Sequence, residues 1–154
     1  MYKKVLFTTD GSQFAEDSLP WAVDLAKQCK ADLRIITVIE NPVFYGTPEA
    51  TALYDAEFYR SLSSELEKLA ATSVERARKT AESSGVICTT SVRHGSPADE
   101  IIEECKDWGA DVVVVSTHGR SGLARLFLGS VANRIVNHAP CPVLLHRVSS
   151  VKKD

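Results

Sequence analysis

Four consecutive valines, Val112 to Val115, stand between Asp111 and Ser116 and limit what this chain can fold into more than any other stretch. A strand with apolar side chains on both faces has to be covered on both faces, which is the condition of a parallel strand sandwiched between helix layers. Leu33 to Ile39 repeats the pattern, apolar at nearly every position. Lys3 to Thr9 is a shorter version, with Val5 and Phe7 on one side and Leu6 on the other. Val86 to Arg93 is more polar, as suits a sheet edge, and Pro142 to Val148 supplies a fifth run.

Helical periods separate these runs. Asp10-Gly11-Ser12 stops the first strand, and Ser12 is placed to cap a helix reaching about Cys29 with Leu19, Ala22, Val23 and Ala26 inward. Pro20 lies inside that helix and predicts a kink or a tightened first segment, because it removes a donor to the carbonyl of Glu16. From about Ala56 to Ser84 apolar residues recur at Phe58, Leu62, Leu66, Leu69, Ala70, Val74, Ala77 and Ala81, and Gly85 follows as a C-terminal cap. Glu65, Lys68, Glu75, Arg78, Lys79 and Glu82 form the solvated face of that helix. Ser96, Pro97 and Asp99 read as a capping-box-like start to a helix through about Lys106, and Trp108-Gly109 ends it. Val131 to His138 is a fourth helix, and 41–55 is a long loop with Phe44 and Tyr45 as an anchor or a lid.

Strand and helix in strict alternation predict an α/β class: one open, parallel five-stranded sheet with helices on both faces, because each parallel crossover needs a helix and right-handed winding. A chain of 154 residues suits a single domain, here 1–148 followed by a polar tail at 149–154. With 18 basic and 20 acidic residues in no long block, neither nucleic acid nor membrane is an expected partner. No run approaches the roughly 20 apolar residues of a membrane span, and the expected location is cytoplasmic. Cys29, Cys88, Cys105 and Cys141 lack C-x-x-C spacing and read as packing residues. His94, His118, His138 and His146 lack zinc-site spacing, so no protein-built metal site is expected.

Chemistry concentrates after the valines. Ser116-Thr117-His118-Gly119-Arg120 and then Gly129-Ser130 combine glycines, hydroxyls and arginine ahead of a helix, whose first unpaired N–H groups and positive dipole end favour an anion. Neither a P-loop nor a dinucleotide fingerprint is present. The spacing Ser116-x2-Gly119-x9-Gly129-Ser130 resembles the G-x2-G-x9-G-[ST] nucleotide loop of the universal stress proteins, with Ser116 in place of the first glycine. The opening Tyr2 to Asp10, the Gly95-Ser96-Pro97 turn and the ending Ala139 to Leu145 resemble the same family.

That resemblance implies a Rossmann-like sheet of order 3-2-1-4-5 and a site for ATP, with Mg2+ bound through the phosphates. It places Thr8, Thr9 and Asp10 beside the nucleoside, with Asp10 on ribose hydroxyls or a metal-bound water, and the backbone of Val38 on the adenine edge. Ser116, Thr117, His118, Gly119 and Arg120 then meet the ribose and first phosphates, and Gly129, Ser130 and Val131 the outer phosphates. Arg125 is a further nearby cation, and a solvated loop is the alternative for both arginines. Taken alone, Asp10-Gly11-Ser12 reads first as a turn and a cap.

No residue is assigned a catalytic role, His118 included. The implied function is an ATP-binding stress-response sensor or regulator, with a nucleotide-free dimeric interaction module or a slow ATPase as alternatives. Val143, Leu144 and Leu145 form an apolar edge in the implied order and predict a homodimer through the last strand, the alternative being that the tail from Ser149 folds back over the edge.

Overall fold

The computed structural model describes residues 1–40, 56–117 and 128–147. Within these, β1 (Lys4–Thr8), α1 (Gln13–Cys29), β2 (Asp32–Ile39), α2 (Ala56–Ser83), β3 (Cys88–His94), α3 (Pro97–Trp108), β4 (Val112–Ser116), α4 (Ser130–His138) and β5 (Val143–His146) alternate as expected. The strands form one parallel sheet of order β3-β2-β1-β4-β5. The loop at 41–55 and the tail at 149–154 lie outside the described residues.

The faces of β1 sort as the sequence pattern requires. Val5 and Phe7 enter a core shared with Leu19, Ala22 and Val23 of α1 and Val74 and Ala77 of α2. Leu6 enters the opposite core with Ile101 and Cys105 of α3 and Ile135 of α4. The four valines divide likewise, Val112 and Val114 to the first core and Val113 and Val115 to the second. Cys105 packs there against Cys141, and burial pushes its thiol up to about 12, as befits a packing residue.

α1 is α-helical through Pro20, which lies on the exposed side where water can take the carbonyl of Glu16. Two local expectations need correction. Ser96 stands at the N-cap of α3 with Pro97 next, yet its side chain makes no cap hydrogen bond; its hydroxyl and Arg134 instead engage Asp99 and hold that carboxyl below its ordinary range. Along α2, Ala70, Val74, Ala77 and Ala81 are buried, but Phe58 and Leu69 are largely exposed. Length explains this: 28 helical residues span about 42 Å, whereas an eight-residue strand such as β2 spans about 26 Å, so the first half of α2 overhangs the sheet.

Lateral ties hold the polar edge. Glu104 of α3, nearly buried, receives Arg34 of β2 at 2.9 Å and Arg93 of β3 at 2.6 Å, while Ser91 donates to it at 3.3 Å. The guanidinium of Arg34 also lies over the Trp108 ring, 4.6 Å from its centroid.

Candidate functional site

β1 and β4 are neighbours, but the connection leaving β1 runs over one face and the connection leaving β4 over the other. Their carboxyl ends therefore border the crevice at which open α/β sheets take ligands. Thr8 and Thr9 are buried there. Thr8 Oγ1 donates to the Val114 carbonyl at 3.4 Å across the gap, and the Thr9 N–H donates to Ile36 O at 2.9 Å.

Asp10 sits in a tight turn. Its Oδ1 accepts the Ser12 N–H at 3.0 Å, Thr9 Oγ1 accepts the Gly11 N–H at 3.1 Å, and Gly11 has φ +76°. Ser12 then caps α1, accepting the Ala15 N–H at 3.3 Å. The turn-and-cap reading of Asp10-Gly11-Ser12 thus holds, and it places the carboxylate at the crevice rather than competing with a ligand role.

Val38 follows from register. The last β1–β2 rung is Thr8↔Ile36, and the Ile36 carbonyl faces β1. Backbone groups alternate sides along a strand, and the Ile39 carbonyl takes the Gly95 N–H on the β3 side at 3.0 Å. The N–H and C=O of Val38 consequently point to the β1 side, just beyond the place where β1 turns away.

On the other wall, Ser116 pairs with His146 of β5, and the Thr117 N–H donates to His146 O at 3.1 Å. The Thr117 carbonyl accepts the Gly129 N–H at 3.0 Å. The N–H of Gly129 is thereby engaged within the protein. Its φ of −58° is open to any residue, so what glycine supplies is close approach, with an added Cβ 3.3 Å from Thr117 O. Gly129 is the N-cap of α4 and offers no capping side chain, so the N–H groups of Ser130 and Val131 lack partners within the helix. α1, α2 and α3 carry an acid in their first turn, and α4 carries none. His118, Gly119, Arg120 and Arg125 lie outside the described residues.

Sequence reasoning missed the contribution of α2. Ser73 and Arg76, interleaved with the buried Val74 and Ala77, reach the Gly11 turn, and polar residues bordering the buried stripe of this helix are the available signal. A cavity of about 270 Å3 opens there between α1 and α2, with Thr9, Glu16, Ser73 and Arg76 in its wall. It shares Thr9 with the strand-end crevice.

The fold and the strand-end crevice define a small α/β domain of the kind that takes a ligand at a topological switch point. The chain belongs to the universal stress protein family, whose model matches residues 1–147. It is 34% identical to a universal stress protein of Methanocaldococcus jannaschii over all of this chain and 86% of that one. Among solved structures, a universal stress protein of Lactobacillus plantarum aligns with TM-score 0.80 and 24% identity over 95% of this chain and 98% of that one. A family protein of Arabidopsis thaliana with AMP bound aligns with TM-score 0.68 and 21% identity over 96% and 93%.

Proposed function

We propose that this protein binds ATP in the crevice between the Asp10 turn and the start of α4, and acts as a stress-response sensor or regulator rather than a turnover enzyme. The observation that carries the reading is convergence: a backbone donor–acceptor pair at Val38, a carboxylate at Asp10 and the acid-free first turn of α4 meet at one switch point. Each suits a different part of one ligand. An adjacent N–H and C=O match the acceptor and donor of an adenine edge, a carboxylate accepts ribose hydroxyls, and free N–H groups at a helix start receive phosphate. The bound AMP of the Arabidopsis relative supports an adenine nucleotide as the ligand class.

In this reading Thr8 and Thr9 floor the nucleoside, and Ser116, Thr117, His118, Gly119 and Arg120 approach the ribose and first phosphates. Ser130 and Val131 take the outer phosphates, while Gly129 brings α4 close. A divalent ion such as Mg2+ enters on the phosphate oxygens, needing few protein ligands. Efficient phosphoryl transfer needs a positioned base and strong charge stabilisation at the γ-phosphate, and no described residue is assigned either role.

The test is mass spectrometry of nucleotide carried through purification, then calorimetric titration of Mg-ATP into nucleotide-free protein. Bound adenine nucleotide or saturable heat is expected. Neither, at millimolar ATP, would replace this reading with that of a nucleotide-free interaction module.

A further inference from the structure

The Asp10–Ser12 turn is held from behind by α2. A Cβ built on Gly11 would stand 2.5 Å from Ser73 Oγ, so the turn and the helix touch with no room for a side chain between them. Ser73 Oγ is itself fixed by donating to the Leu69 carbonyl at 2.9 Å, and moving it aside would give up that bond. One helical turn on, Arg76 Nη2 donates to the Gly11 carbonyl at 3.4 Å and its guanidinium pairs with Glu16 of α1. Glu16 returns to the turn through its N–H, donated to Ser12 O at 3.1 Å.

The ring of contacts is centred on one peptide unit. The Gly11 carbonyl and the Ser12 N–H belong to the same planar group, with Arg76 at the oxygen and Asp10 Oδ1 at the N–H. Whatever sets the tilt of that plane also sets where the Asp10 carboxylate is held. Arg76, Glu16 and Ser73 line the cavity between α1 and α2 and meet the Asp10 turn at this plane.

We infer that Ser73 and Arg76 are positioning residues of the nucleotide site: they fix the Gly11–Ser12 peptide from the α2 side and thereby aim Asp10 without touching the ligand. The inference rests on the nucleotide reading of the crevice and adds to it a mechanical link between nucleotide affinity and the longest helix of the fold.

The test combines a measurement that needs no ligand with one that does. In nucleotide-free protein, amide exchange at Ser12 is read by NMR for wild type, Arg76→Met, Arg76→Lys and Ser73→Leu. Faster exchange is expected in Arg76→Met and Ser73→Leu, with partial recovery in Arg76→Lys, whose ammonium can still donate to the Gly11 carbonyl. Arg76 is about half exposed, so its loss should weaken Mg-ATP binding by about threefold to fivefold, and the bulk of Ser73→Leu by more. In an Asp10→Ala background the Arg76→Met effect should vanish, which a general loss of stability would not produce. Unchanged Ser12 exchange in both variants overturns the inference, as does an Arg76→Met effect that persists without Asp10. Wild-type protein that takes up no Mg-ATP overturns the nucleotide reading itself, and the exchange rates separate that failure from this one.

Discussion

The Thr117 carbonyl and the Gly129 N–H meet at 3.0 Å, joining the end of β4 to the start of α4 across eleven intervening residues. Because of this bond, the first turn of α4 stands directly beyond the strand ends whatever path the intervening chain takes. The N–H groups of Ser130 and Val131, which have no partner within the helix, belong to that turn, and Asp10 stands at the end of the neighbouring strand β1.

The first prediction concerns that junction. A methyl at position 129 would sit 3.3 Å from Thr117 O, a contact that a shift of a few tenths of an ångström relieves. Gly129→Ala should therefore cost little, whereas Gly129→Val pushes α4 away from the strand end. Loss of one charge-assisted contact to phosphate predicts Mg-ATP binding weaker by about tenfold or more. The same change at Gly122, which is not a position of the Ser116-x2-Gly119-x9-Gly129-Ser130 spacing, should be milder. Calorimetric titration measures each affinity, and an unchanged far-UV circular dichroism spectrum confirms that folding survives. Equal affinities for wild type and Gly129→Val would remove α4 from the site.

A second prediction concerns the polar edge. Glu104 is 3% exposed and joins α3 to two strands through Arg34 and Arg93, which retain partial access to water. Glu104→Gln keeps the shape and removes the charge, leaving two guanidinium groups without their shared carboxylate. A loss of about 2 kcal/mol is expected, the scale of a disrupted charged hydrogen bond, and urea denaturation reads it. A loss below about 0.5 kcal/mol, the range of ordinary surface changes, would show that the pairs are energetically neutral.

The fold was readable because its two strongest signals reinforce each other: strands such as Val112–Val115 apolar on both faces, and helical periods between them. Topology needed the family resemblance in addition, since periodicity orders elements along the chain and not across a sheet. Asp10 and Val38 were readable as positions, yet the reason Val38 can present its backbone is a register effect, visible only once β1 is seen to stop at Thr8. The spacing marks Gly129 as a loop position but does not reveal that Thr117 takes its N–H. Phe58 and Leu69 belong to the apolar stripe and are nonetheless exposed, because a helical period carries no information on where the sheet beneath it ends.

Acid sensitivity should arise in part at the opposite end of the sheet. Asp111 accepts the N–H groups of Lys3 at 2.7 Å and Lys4 at 3.0 Å, and these bonds hold its carboxyl below the ordinary aspartate range. A depressed carboxylate contributes stability that is present above its unfolded pKa, near pH 4, and is lost as pH falls through the lower folded value. Wild type should therefore exceed Asp111→Asn in thermal midpoint at pH 6, and the gap should shrink below pH 4. A gap that stays constant from pH 6 to pH 3 would assign the difference to something other than ionisation.

The last prediction concerns β5. Val143 packs on the α3–α4 core and Leu144 on the α1–α2 core, while Leu145 belongs to neither and is 37% exposed on the edge strand. Beside it, His146 is anchored inward. Ser18 Oγ spends its one proton on the Phe14 carbonyl at 2.7 Å, so its 2.9 Å contact with His146 Nδ1 has the imidazole N–H as donor. Trp21, 56% exposed, lies 5.3 Å from the His146 ring and extends the apolar rim of the same edge. Among the described residues no strand pairs with the outer edge of β5; an edge with exposed apolar side chains is an association hazard, and a second copy paired about a two-fold axis removes it from both chains at once. Wild type is expected to sediment as a dimer at micromolar concentration. Leu145→Lys should sediment as a monomer with an unchanged circular dichroism spectrum, because its charge lands on the edge and outside both cores. A wild-type monomer at that concentration, or a variant that remains dimeric, would place the association surface away from β5.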